Sequence, residues 1–179
     1  MKVSRRSFLW TAGAATLLGA GGCSSFGIAK SRAFVNGKVR MAFVGIGNRG
    51  GANFDMFSYF KDLVEVVALC DTDIGGAATV PVLKACPGVP RYRDFRKMFD
   101  EMGGSIDAVC ISTPDFSHFP VAMLAMSLGK HIYVEKPIGN RFNEIELMIG
   151  AAERHGVVTQ MGNQGHSDGN YYQCKSLVE

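Results

Sequence analysis

The sequence predicts an α/β fold with a doubly wound parallel sheet, and three observations predict it. Short apolar, β-branched runs alternate with helical patterns from about residue 38 to residue 165. Most of these runs are closed by a glycine, a proline or an acid. The unusual polar residues gather where the predicted strands end: Gly45 to Gly50, Asp71, Thr113 to His118, Glu135 to Pro137, and Asn163 to His166. In open parallel sheets covered on both faces, the carboxyl ends of the strands are where ligands bind.

The elements follow in order. "KVRMAFV" is a strand that runs into the glycine-rich turn "GIGNRGG", and "GANFDMFSYF" continues as a helix. "VEVVALCD" is a second strand ending in Asp71. "DFRKMFDEMG" reads as a helix with Asp94 as N-cap and Gly103 as its stop. "IDAVCISTP" is a third strand stopped by Pro114, and His118 opens the helix "HFPVAMLAMSLG" that ends at Gly129. "HIYVEKP" is the fourth strand. "NEIELMIGAAERHG" is the helix after it, with Ile145, Met148, Ile149 and Ala152 on one face and Asn143 with Glu146 as a capping-box-like start. "VVTQMG" is a fifth strand.

Gly45-Ile46-Gly47-Asn48-Arg49-Gly50 is a GxGxxG between a strand and a helix, with an acid about twenty residues on. That context makes the domain over residues 38–165 Rossmann-type and its ligand a dinucleotide. The glycines allow a tight turn, close backbone approach to a pyrophosphate and close helix–sheet packing. The helix N-terminus favours the anion. Asn48 and Arg49 complete the set of turn residues expected at the cofactor. Asp71 is placed to accept hydrogen bonds from the adenosine ribose. Its charge repels a 2′-phosphate, and Thr72 and Asp73 bring no cation, so NAD is favoured over NADP.

Composition narrows the class further. The formal charge of +3 comes from the start of the chain. Lys2, Arg5, Arg6, Lys30 and Arg32 precede Phe34 with no acid among them, and setting those five aside leaves −2. No basic patch points to nucleic acid. Five cysteines occur without a CxxC pair or zinc-type spacing, so neither a metal site nor a disulfide framework is expected. Cys70 and Cys110 end apolar runs and read as buried small hydrophobes.

Residues 1–33 read as an export leader. Ser4-Arg5-Arg6-Ser7-Phe8-Leu9 resembles the twin-arginine motif of proteins exported folded, with Trp10 where lysine is common. The run from Ser7 to Gly22 is short and rich in Gly and Ala, as an h-region is. Two cleavage readings stay open. "GAGGC" resembles a loose lipobox, which would make Cys23 lipidated and the protein membrane-anchored. "SRA" before Phe34 would release it into the periplasm.

The block "ISTPDFSHFPVAMLAMSLGKHIYVEKPIG", with "YRDFRKMF" and "IDAV" before it, resembles the glucose–fructose oxidoreductase / inositol dehydrogenase / rhizopine catabolism family. "TQMGNQGHS" is similar to an exported bacterial branch of it. The resemblance implies NAD(P)-dependent oxidation of a sugar, cyclitol or derivative, or an NAD-dependent glycosidase of the same superfamily. A dinucleotide-binding protein without catalysis is the third alternative. Thr113 and Pro114 would line the nicotinamide side, with His118 bordering the same loop. Glu135 would meet the nicotinamide ribose, and Lys136 would stand between nicotinamide and sugar as the catalytic group, aimed by a cis bond before Pro137. Asn163 and Gln164 would reach cofactor or substrate. The resemblance further implies a C-terminal α+β domain, absent from this chain, that carries a catalytic partner and forms a homo-oligomer. Residues 166–179 would begin the connection to it.

Overall fold

A computed structural model describes residues 37–167 and 169–178. The leader, both cleavage alternatives and Cys23 lie outside the described residues. The elements are β1 (Val39–Val44), α1 (Arg49–Tyr59), β2 (Val64–Cys70), α2 (Val80–Ala85), β3 (Arg91–Tyr92), α3 (Phe95–Met102), β4 (Ala108–Ile111), α4 (Asp115–Ser127), β5 (His131–Glu135), α5 (Phe142–His155), β6 (Thr159–Gly162) and α6 (Gly169–Val178). Single 3-10 turns cover Gly103–Ser105 and Gln164–Ser167.

The six strands form one parallel sheet in the order β3-β2-β1-β4-β5-β6. The order reverses at β1, which makes a crevice between β1 and β4 at their carboxyl ends. Side-chain alternation divides the core between the two faces. Ala42 and Val44 of β1, with Val109 and Ile111 of β4, pack on the side that holds α3, α4 and α5. Phe43 of β1 and Cys110 of β4 pack on the other, with Phe54 of α1 and Leu83 of α2. Both faces of the central strands are thus sealed by helices, which is why these strands read as unbroken apolar runs.

The structure corrects several boundaries. There are six strands in the described sheet, not five. The additional one, β3, is two residues long and pairs with the end of β2. α2 is an unanticipated short helix with a proline in its first turn. α1 starts at Arg49, so Gly50 lies inside it. α4 starts at Asp115 after Pro114, and His118 sits in its first turn rather than opening it. α5 starts at Phe142, and the cap is set by Glu144 rather than by Asn143 and Glu146. The Glu144 carboxylate reaches back to the backbone N–H of Asn140 (2.9 Å) and Arg141 (3.3 Å). Its buried stripe includes Met148 and Ala151, whereas Ile149 is 57% exposed. The expected cap of α3 is present: Asp94 Oδ1 accepts from the Arg96 N–H at 2.9 Å.

Candidate functional site

Strand register aligns the candidate residues. Val44 pairs with both Cys70 and Ile111, Ile111 with Val134, and Val134 with Met161. The next residues therefore stand at one level: Gly45, Asp71 and Ser112 just past β1, β2 and β4, and Glu135 and Gly162 as the last pair of β5 and β6. The residues after those are Ile46, Thr72, Thr113, Lys136 and Asn163. Every predicted site segment is thus brought to one edge of the sheet.

The β1–β4 crevice opens into a cleft of about 490 Å³ lined by Gly45, Gly47, Asn48, Arg49, Asp71, Thr113 and Pro114, among others. Gly45 adopts φ +82°, and a Cβ there would lie 2.6 Å from the Ser112 carbonyl. A Cβ on Gly50 would lie 2.0 Å from the Gly45 carbonyl oxygen, so the turn closes only with glycine at both positions. Asn48 also has positive φ, 46°, a region asparagine tolerates better than most residues. The Asp71 carboxylate is fixed by two backbone N–H groups, from Ile46 to Oδ2 and from Asp73 to Oδ1, each at 2.9 Å. Thr113 lines the cleft, and its buried Oγ1 has no hydrogen-bond partner among the described residues.

These features fit a dinucleotide. The bare turn admits a pyrophosphate against backbone at the start of α1, and a fixed carboxylate stands where a ribose would lie. One cation expected to be missing near the ribose end arrives from elsewhere in the chain. Arg93, just past β3, lines the same cleft and donates to the carbonyls of Thr72 (2.6 Å) and Ile74 (2.8 Å). It pins the loop after Asp71. No local pattern around Asp71 reveals it, because the contact depends on the two-residue strand β3. Phe116, 76% exposed, also lines the cleft and was not anticipated.

His118 does not line the cleft. It is 1% exposed beneath it. Nδ1 lies 2.6 Å from the Pro137 carbonyl and Nε2 lies 2.7 Å from the Thr113 carbonyl. The ring clasps the Thr113 loop to the Lys136–Pro137 turn, so the geometry gives it backbone partners in place of the expected cofactor contact. A neutral ring donates to one of these carbonyls, and an imidazolium donates to both.

Glu135 is 5% exposed, and its Oε1 accepts from Asn53 Nδ2 (2.8 Å) and Gln164 Nε2 (2.5 Å). Oε2 has no hydrogen-bond partner among the described residues. Gln164 Nε2 also donates to the Tyr133 hydroxyl at 2.8 Å. Burial and the neighbouring Glu135 charge hold the Tyr133 phenol above its ordinary pKa. Lys136 is exposed at the strand end, with no hydrogen bond or ion pair among the described residues, and the Lys136–Pro137 peptide is cis. Asn163 is exposed beyond β6, and its N–H donates to the Met161 carbonyl at 3.0 Å. Asn53, Ser112 and Tyr133, which tie this network together, carry no motif that would single them out.

Sheet order, glycine turn and fixed carboxylate define a dinucleotide-binding Rossmann domain of the oxidoreductase class. The chain belongs to the glucose–fructose oxidoreductase / inositol dehydrogenase / MocA family: the family model described as "oxidoreductase family, NAD-binding Rossmann fold" matches residues 39–163. A glycosyl hydrolase family 109 protein from Solibacter usitatus is 33% identical over 168 residues, covering 85% of this chain and 37% of that protein. An alpha-N-acetylgalactosaminidase from Shewanella oneidensis is 34% identical over 123 residues, covering 65% and 26%. The scyllo-inositol dehydrogenase of Lactobacillus casei, solved with NAD(H) and scyllo-inositol, superposes with TM-score 0.65 at 26% identity, covering 79% of this chain and 41% of that one. The chain spans well under half the length of these relatives. The family match makes residues 39–163 an NAD-binding Rossmann domain.

Proposed function

We propose that the chain is the cofactor half of an NAD-dependent enzyme that moves hydride between nicotinamide and a carbinol carbon of a sugar, cyclitol or derivative. The observation that carries this is the single row of strand ends bearing the glycine turn, Asp71, Thr113 and Lys136. Bound NAD supplies the hydride acceptor at nicotinamide C4. The turn 45–50 would hold the pyrophosphate, Asp71 the adenosine ribose, and Thr113 with Pro114 the nicotinamide side. Lys136 would face the reacting hydroxyl. As an ammonium it steadies developing alkoxide charge, and as a free amine it takes the hydroxyl proton. The leader around Arg5 and Arg6 supports export of the folded, cofactor-loaded chain, either free in the periplasm or tethered through Cys23.

A second reading, an NAD-dependent glycosidase, is favoured by the names of the relatives above 30% identity. There the same hydride step is transient: oxidation is followed by elimination, hydration and re-reduction, with no net change in the cofactor. Both readings share Lys136 and the cleft.

The test begins with the purified gene product, assayed for bound NAD(H) by absorbance and release. Sugar and inositol oxidation is then compared with cleavage of aryl glycosides, including an aryl N-acetylgalactosaminide. Cleavage that needs catalytic NAD without net reduction selects the glycosidase. Absence of bindable NAD sinks both readings and leaves a protein without this catalysis. Lys136→Met should lower turnover by about a hundredfold or more while NAD affinity stays within about threefold. Undiminished turnover would remove Lys136 from the mechanism.

A further inference from the structure

Lys136 and Pro137 are both exposed, and His118 holds the turn after the lysine, with Nδ1 2.6 Å from the Pro137 carbonyl. What fixes its base is Glu135, one residue before, and Glu135 is gripped from two directions. Asn53 lies on α1, the helix that starts at the pyrophosphate turn, and is 1% exposed. Its amide nitrogen spends both hydrogens, one on Glu135 Oε1 (2.8 Å) and one on Ser112 Oγ (2.9 Å), the residue just before Thr113. From the opposite side, Gln164 gives both its hydrogens to Glu135 Oε1 and the Tyr133 hydroxyl.

Two further facts indicate what these amides are for. Asn53 Oδ1 is buried and has no partner among the described residues. An orphaned buried acceptor is costly and uncommon, so what this amide contributes here is the pair of hydrogen bonds its nitrogen donates. Gly162 leaves the room the arrangement needs. A Cβ there would lie 2.7 Å from the Tyr133 hydroxyl and 2.8 Å from Glu135 Oε1.

We infer that Asn53 and Gln164 are positioning residues. By sharing Glu135 Oε1, they fix the base of the Lys136 turn to the pyrophosphate helix on one side and to the loop after β6 on the other. Any displacement of α1 by a dinucleotide at the turn before it would then reach the lysine through one carboxylate. The inference rests on the proposed role of Lys136 at the nicotinamide, and neither amide needs to touch cofactor or substrate for it to hold.

The test reads lysine chemistry as well as activity. The full chain is reductively methylated with and without saturating NAD+, and the rate at Lys136 is followed by peptide mass spectrometry against exposed Lys61 as internal reference. NAD+ affinity is measured by calorimetry and fold by the thermal midpoint. NAD+ is expected to slow methylation of Lys136 in the wild-type chain. In Asn53→Leu and Gln164→Met that protection, read with each variant saturated with NAD+ at its own measured affinity, should fall about tenfold, within the range that ångström-scale misplacement produces. Met148→Ala, which opens the core away from this network, should lower the midpoint and keep the protection. Gln164 is only half-buried, so its variant decides the matter even if Asn53→Leu fails to fold. Wild-type protection in Gln164→Met, or equal loss in Met148→Ala, overturns the inference. If the wild-type chain binds no NAD+, or binds it without protecting Lys136, the functional reading itself fails.

Discussion

Cys70 and Cys110 sit near the ends of β2 and β4 on opposite faces of the sheet, yet a thiol close to a cofactor cleft is not thereby a reactive one. Burial pushes both thiols up to about 12. The nearby carboxylates Asp71 and Asp94 add to the effect at Cys70, as Glu135 does at Cys110, while a hydrogen bond to Ser112 partly offsets the rise at Cys110. A thiolate is the attacking species, so at pH 8 both thiols stay protonated and unreactive. Cys174 is exposed and Cys86 partly so. Brief iodoacetamide treatment of the folded protein at pH 8 should modify Cys174 first and Cys86 more slowly. Cys70 and Cys110 should react only in denaturant. Peptide mapping checks this, and modification of Cys110 in the folded state would contradict the burial argument. The same burial explains why these cysteines were legible in the sequence: each closes an apolar run, and each serves as a small core residue.

At the scale of elements, legibility followed length and local chemistry. The strands β1, β2, β4 and β5 were visible because both their faces are buried, which gives uninterrupted apolar runs. α3 was visible because Asp94 is a strong N-cap before an amphipathic run, and Asp94→Ala is expected to cost about 1 kcal/mol. A denaturant midpoint at constant slope reads that directly, and an unchanged midpoint would mean the bond to the Arg96 N–H does not stabilise the helix. β3 and α2 were not visible, since two and six residues are too few to show a period. The start of α5 was misplaced for a different reason. Asn143 is a good cap by type, but the chain leaving Pro137 brings the backbone of Asn140 and Arg141 onto Glu144 instead. The site divides the same way. Glycines, acids and the Glu135-Lys136-Pro137 run carry their chemistry in local order. Asn53, Ser112, Tyr133 and Arg93 acquire theirs only when distant segments meet, with Asn53 and Glu135 separated by 82 positions.

Across the whole molecule the two edges of the sheet do different work. The carboxyl edge collects the unpartnered groups of the site, whereas the amino edge is tied by a closed ion pair. Arg40 on β1 meets Asp107, just before β4, with Nη2 to Oδ1 at 2.7 Å and Nε to Oδ2 at 2.9 Å, and the Arg40 N–H also donates to Oδ2 at 3.0 Å. This bidentate pair joins the two strands that flank the crevice, at the end opposite to it. Hydrogen bonds from Arg40 hold the Asp107 carboxyl below its ordinary value of 3.8, despite the opposing effect of burial. A depressed folded-state pKa contributes stability that is fully present above the unfolded value and lost as pH falls through the folded one. The pair should therefore contribute throughout the neutral range and fade below about pH 3.8. Asp107→Asn keeps the shape but removes the charge, and should cost about 2 kcal/mol at pH 7. Urea midpoints of the two proteins, compared from pH 7 downward, should converge in the acid range as the wild-type carboxyl takes its proton. The NAD+ affinity of Asp107→Asn should match that of the wild type, because the pair lies at the far edge from the cleft. A stability gap that persisted unchanged into acid would show that the variant disturbs packing rather than charge. A loss of NAD+ affinity would show that the two edges of the sheet are coupled.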